Sequence, residues 1–166
     1  TYWMNFAVLT VVIHTASTSL CITTVCLKWL LIGRLKPGTH RITKGMLYRH
    51  AVVQSMSRLC HQLYLVPWLC TTVWPKLWWK AMGMKAAWGA SIGRITHEIA
   101  AFGSQCDLLT VKDGAFIAGF PTVLTCMVAM DDDIVHFREV VIGERAFVGF
   151  KALILPGVVI QESAAA

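Results

Sequence analysis

The first 27 residues, Thr1 to Leu27, carry no formal charge. An apolar helix of about 20 residues spans the hydrocarbon core of a bilayer, and it must be a helix because lipid offers backbone N–H and C=O groups no partners. The run is also too long for the apolar region of a signal peptide, which covers roughly 7–15 residues. A transmembrane helix is therefore expected over roughly residues 4–32, filling an N-terminal segment 1–33. Composition points the same way: 56% of residues are hydrophobic, 14% are charged and the mean hydropathy is +0.60. These values argue against a purely soluble globule, and they are the reverse of the low hydrophobicity and high charge that keep a chain disordered.

The expected helix is unusually rich in hydroxyls, and Thr15, Ser19 and Thr23 recur at every fourth position on one face. Small hydroxyl side chains let a second helix approach closely and supply interhelical hydrogen bonds. These three residues are read as a packing face for other transmembrane helices of a membrane complex. His14 is read as a hydrogen-bonded structural histidine rather than a haem or pigment ligand.

Charge is divided along the chain. Residues 1–97 hold eleven Lys and Arg and no acid, whereas residues 98–166 hold four basic and nine acidic residues. The positive charges lie beside apolar segments, where anionic headgroups and the positive-inside rule account for them, so the lipid bilayer and not nucleic acid is the expected partner. The basic loop 34–45 would lie on the cytoplasmic, stromal or matrix side, together with everything C-terminal to it. Residues 46–87 read as interfacial or re-entrant amphipathic helices. Pro67 interrupts an uncharged stretch over 59–75, and Trp74, Trp78 and Trp79 interleave with Lys76 and Lys80, a combination that favours the headgroup boundary.

From Trp88 onward the period becomes six. Ile142, Val148, Ile154 and Ile160 recur at that spacing, with Ala146, Ala152 and Val158 in a second register and Val111, Ile117 and Val123 in an earlier set. A hexapeptide period indicates stacked short strands, each layer burying the same position of the repeat. The two sets are out of phase, so an excursion is expected between them, containing Asp131, Asp132, Asp133 and His136. The chain closes on Ser163 and three alanines and reads as a fragment of a longer protein, incomplete at its C-terminus.

Four segments then resemble, in order, the membrane-bound C-terminal region of the Pls/PosA family, nonribosomal peptide synthetase-like proteins that include epsilon-poly-L-lysine synthetase. They are Lys28-Trp-Leu-Leu-Ile-Gly-Arg-Leu-Lys-Pro-Gly38, Trp88-Gly-Ala-Ser-Ile-Gly93, Asp107-Leu-Leu-Thr-Val-Lys-Asp-Gly-Ala115 and Val141-Ile-Gly-Glu-Arg-Ala-Phe-Val-Gly149. The resemblance implies a left-handed parallel β-helix of the hexapeptide acyltransferase superfamily over 88–166, joined to the transmembrane and interfacial helices. It also implies relatives that work as internal tandem units or homotrimers and join amino acids or acyl groups. In the family the coil before the excursion reads like Gln-Thr-His-Leu-Phe-Glu, and its imidazole is suited to general-base work. Here that stretch is Leu-Thr-Cys-Met-Val-Ala over 124–129, which puts Met127 in the histidine's place. A thioether cannot take a proton, leaving His136 as the alternative base and His97 as a solvated or coil-edge residue.

No other chemistry is prominent. The six cysteines include no Cys-x-x-Cys, the histidines of the C-terminal half are too few for a gamma-class carbonic anhydrase zinc site, and Asp131–Asp133 read as a solvated loop. No metal site and no cofactor is assigned. The function expected is that of an accessory or scaffold protein whose β-helix has transferase ancestry and a degenerate site; the alternative is a working membrane-bound acyl- or aminoacyl-transferase.

Overall fold

The computed structural model describes residues 2–65, 72–92, 103–119, 121–129 and 133–166. Helix α1, Tyr2–Leu31, is unbroken because neither Gly nor Pro occurs within it. It ends at Gly33, whose φ of +68° is the left-handed conformation that lets the Ile32 and Gly33 amides turn back to the Lys28 carbonyl at 3.0 and 3.1 Å. It is long and apolar enough to cross a membrane. Its N-terminal part carries exposed Trp3, Phe6, Val11 and Val12, while its buried residues, Cys21, Thr24 and Lys28, all lie in the C-terminal half.

Cys21 and Thr24 face helix α2, Lys44–Cys60, which Thr43 caps by accepting the Met46 amide at 3.2 Å. Val53, Ser57 and Cys60, spaced by four and three, form the buried stripe of α2, and Thr24 Oγ1 lies 3.1 Å from Cys60 Sγ. The helix runs on into a π-helical turn, His61–Leu65. Helix α3, Trp74–Ala81, starts with Pro75 in its first turn, where a missing N–H costs nothing. Helices α2 and α3 thus fall in the stretch where helices were expected, while Pro67 and Cys70 lie outside the described residues.

The C-terminal half contains three parallel sheets. The first joins β2 (Lys85–Ala86), β4 (Leu109–Val111), β9 (Val140–Ile142) and β12 (Val159–Ile160). The second joins β3 (Ser91–Ile92), β5 (Phe116–Ile117) and β10 (Phe147–Val148), and the third joins β6 (Thr122–Val123) to β11 (Leu153–Ile154). The chain visits the sheets in rotation: β4, β5 and β6 are followed by β9, β10 and β11 in the same order, and then by β12. Val159 pairs with Val141, eighteen residues earlier, so one full circuit is three hexapeptides. Val141 pairs with Thr110, thirty-one residues earlier, so that circuit holds thirteen extra residues.

The extra residues are Cys126–Arg138, closed at the base by the Arg138 amide donating to the Thr125 carbonyl at 2.8 Å. They form an antiparallel hairpin of β7 (Cys126–Ala129) and β8 (Ile134–Phe137). Here the basic loop 34–45 departs from expectation. Residues Gly38–Arg41 form strand β1 and pair antiparallel with β8, because the hairpin presents an edge of unpaired backbone groups that an adjacent extended segment satisfies.

Burial follows the six-residue period. Val111, Ile117, Val123, Ile142, Val148, Ile154 and Ile160 are all buried. In the second register Ala146 is buried and Ala152 half-buried, but Val158 is exposed, since it lies just past the Pro156–Gly157 corner on the terminal circuit. Gly143 shows why a glycine follows the buried Ile142: a Cβ there would stand 2.7 Å from the Ile160 carbonyl oxygen and the Gln161 carbonyl carbon in the next circuit. One continuous apolar core runs from Cys21, Val53 and Cys60 through Trp79 and Met82 to the inner faces of the parallel sheets.

Candidate functional site

Helix α1 meets the sheets at a charged contact. Lys28, in the last turn of α1, is fully buried, and its Nζ lies 2.8 Å from Asp107 Oδ2 and 3.0 Å from Oδ1. Asp107 belongs to a short 3₁₀ segment, Gly103–Leu108, and its Oδ2 also accepts the Leu35 amide at 3.2 Å. A lysine at a helix C-terminus suits the helix dipole, and here the ammonium also lies 3.7 Å from the Trp29 ring centroid, whose own Nε1 donates to the Ala81 carbonyl at 2.8 Å. Gly83 completes the enclosure. Its φ is +112°, and a Cβ on it would lie 2.2 Å from Asp107 Oδ1 and 3.1 Å from Lys28 Nζ. The buried pair therefore ties together α1, the segment after it, the end of α3 and the entry to β4.

Beside this contact, α2 packs against the excursion hairpin around a cleft of about 320 Å³. His50 Nδ1 and Ser104 Oγ are 2.9 Å apart, and the His50 ring stacks on Phe137 with centroids 6.0 Å apart. Thr125 Oγ1 donates to Gln105 Oε1 at 2.6 Å, and Cys126 stands on the same wall. Burial holds the His50 imidazole below its ordinary pKa, which keeps it neutral, and pushes the Cys126 thiol up. A neutral imidazole beside a hydroxyl is chemically a base–hydroxyl pair, but Ser104 is itself buried at 2% exposure, as a structural hydrogen bond requires.

His136 sits on the outer face of the same hairpin. It stands directly opposite Met127 in the β7–β8 ladder and opposite Thr39 in the β1–β8 ladder, with Nδ1 3.0 Å from Thr39 Oγ1. Residues directly opposite in a ladder project from the same face, so the excursion imidazole and the Met127 thioether are immediate neighbours. That face is open: Met127 is 55% exposed. His97, Asp131 and Asp132 lie outside the described residues.

The residues expected in or beside a membrane divide. Thr15, Ser19 and Thr23 are exposed on α1, and each hydroxyl donates to the carbonyl four residues back, at 2.8, 2.9 and 2.8 Å, so the face that α2 covers within this chain is a different one. Of the tryptophans, Trp78 and Trp79 turn inward and pack edge to face with centroids 4.8 Å apart, which leaves Trp74 exposed. Trp78 and Trp79, expected at the membrane interface with Trp74, are thus buried within the chain, and Leu77, Trp78 and Ala81 line a groove against α1. Lys76 donates to the Trp88 carbonyl at 2.7 Å and Lys80 lies 4.1 Å over the Trp88 ring, so both lysines are drawn to the start of the parallel sheets.

Residues that sequence reasoning passed over are Asp107, Gly83, His50 and Ser104. Only one signal pointed to any of them: Lys28 and Asp107 each begin one of the segments that carry the family resemblance. The chain matches no protein-family model, no curated protein sequence and no solved structure. Among the described residues no group of three or more His, Cys, Asp or Glu is placed to hold a metal ion.

Proposed function

We propose that this chain is a membrane-embedded accessory or scaffold protein, acting in a larger membrane complex, whose three parallel sheets are coils of a left-handed hexapeptide β-helix of transferase ancestry. The observation that carries the reading is the buried Lys28–Asp107 pair. A charge pair enclosed at the exit of a membrane helix holds that helix in one orientation to the sheets, as a part that positions neighbours requires. The exposed hydroxyl face of α1 suits a partner helix. The basic residues after α1 favour placing the sheets on the positive, cytoplasmic, stromal or matrix side.

The Met127–His136 juxtaposition favours a second reading, an acyl- or aminoacyl-transferase in which His136 takes over the base. General-base catalysis works in a site that excludes water, and the open face of this hairpin would need a neighbouring unit, a tandem copy or a trimer partner, to close it.

The experiment reconstitutes the full-length protein in lipid with carrier-bound and coenzyme-bound aminoacyl and acyl donors, and compares the parent with His136→Ala and Met127→His. The scaffold reading expects no turnover in the parent, because loss of a base removes about 10²- to 10⁴-fold in rate. Robust turnover that His136→Ala abolishes would overturn it. Labelling of introduced cysteines at positions 39 and 113, after replacement of the reactive native ones, tests the topology; labelling from opposite faces of the membrane would refute a shared side.

A further inference from the structure

Two thiols meet where α1 packs on α2. Cys21, in the C-terminal half of α1, and Cys60, the last residue of α2, are both buried, and their thiol groups hydrogen-bond each other. Thr24 adds a second contact from α1. Its hydroxyl donates to the Leu20 carbonyl at 2.8 Å, so its oxygen is left to accept, and the Cys60 Sγ stands 3.1 Å from it. Residues three apart are neighbours on one helix face, so Cys21 and Thr24 together hold the Cys60 sulfur against α1.

Packing alone does not call for a thiol on both sides of this interface. An S–H is a weak donor and a weak acceptor, and small apolar side chains would fill the same space. Two apposed thiols, unlike two methyl groups, can give up two electrons and join. To do so the sulfurs close from hydrogen-bond contact to about 2.05 Å. Cys60 is placed to give way, because α2 ends there and passes into the π-helical turn His61–Leu65. An approach exists on the α1 side: Cys21 lines a groove of about 370 Å³ between α1 and α3, whereas Cys60 is 0% exposed. Ser57, one turn before Cys60 on the buried stripe of α2, has an Oγ with no hydrogen-bond partner among the described residues, which leaves a polar group in the interface for an oxygen-bearing intermediate.

We propose that Cys21 and Cys60 form a redox site, oxidised by a hydroperoxide to a disulfide that staples α1 to α2 and opened again by a dithiol. The O–O bond of hydrogen peroxide breaks as one oxygen passes to the Cys21 sulfur, giving a sulfenic acid and one water. The Cys60 sulfur then displaces that oxygen, which leaves as a second water with the Cys60 proton. The two sulfurs lose two electrons in all and the peroxide gains them. In a compartment that keeps thiols reduced, such a bond is transient and reports oxidation. The proposal is independent of the scaffold and transferase readings, because it rests on no residue of the hairpin and on no transferase activity.

The test uses the full chain reconstituted in vesicles, reduced with dithiothreitol and then exposed to hydrogen peroxide. Remaining thiols are alkylated in denaturant and tryptic peptides are read by mass spectrometry. Trypsin cuts after Lys28, Arg58 and Lys76, so the bond appears as a peptide ending at Lys28 joined to Leu59–Lys76, and fragmentation separates Cys21 from Cys26 and Cys60 from Cys70. The expected product is Cys21–Cys60, lost when dithiothreitol is returned. The oxidised parent should unfold about 5–15 °C above the reduced parent, a shift that Cys60→Ala abolishes; if that variant fails to fold, the joined peptide decides. Absence of that peptide, a bond from either residue to Cys26, Cys70 or a second chain, equal formation of the bond in chain unfolded in dodecyl sulfate, or a midpoint that oxidation leaves unchanged would overturn the proposal.

Discussion

Replacing Asp107 with Asn keeps the side chain's shape and an oxygen able to accept the Leu35 amide, yet removes the charge that Lys28 neutralises. Lys28 is fully buried and makes two contacts of 2.8 and 3.0 Å with the carboxylate, so the variant strands an ammonium out of reach of water. Breaking a buried pair from one side costs about 3–5 kcal/mol. In a chain of this length each kcal/mol moves the midpoint by about 2–4 °C, so a fall of roughly 6–20 °C is expected. Thermal unfolding of the full chain in detergent micelles, followed by tryptophan fluorescence, measures it. The double variant Lys28→Met, Asp107→Leu removes both charges and should recover most of the loss, short of about 1 kcal/mol for the Leu35 amide left without its acceptor. A midpoint for Asp107→Asn within about 2 °C of the parent would refute the reasoning, because it would mean that the ammonium reaches water by rearranging its flexible stem.

Three further outcomes are expected. Gly83→Ala should act on the same contact, since its Cβ would fall 2.2 Å from Asp107 Oδ1 at a φ of +112°; a midpoint drop shared with Asp107→Asn, and not additive with it, would show that both act through the pair. Val148→Asp places an unpaired charge in the dry interior of the parallel sheets and should cost about 3–5 kcal/mol or unfold them outright, seen as loss of the β signal in circular dichroism and rapid proteolysis C-terminal to α3. Burial depresses the His50 pKa below its ordinary 6.5, so its contribution to stability is fully present above that value and is lost as the pH falls through the lower folded pKa. The parent should therefore lose more stability than His50→Gln between about pH 7 and about pH 5, and parallel profiles for the two would refute the assignment.

What the sequence determined by itself rests on local or strictly periodic physics. The charge-free run forms a continuous apolar helix, long enough to cross a membrane, because no Gly or Pro breaks it before Gly33. Burial of Ile117, Val123, Ile142, Val148 and Ile154 was legible because stacked circuits enclose the same position of every hexapeptide. The break in phase was legible too, and placed the excursion that carries His136. Only the tertiary structure decided the rest. Lys28 and Asp107 lie 79 residues apart, and nothing local marks a lysine at the end of a long apolar helix as paired within the chain. Strand β1 arose from a segment with no strand pattern because a hairpin edge was within reach. Trp78 and Trp79 had the composition of an interfacial belt but turned inward, since the amphipathic face of an eight-residue helix is set by what it packs on. His136 was brought opposite Met127 by the register of a hairpin, and register depends on pairing between distant backbone groups that no single stretch of sequence contains.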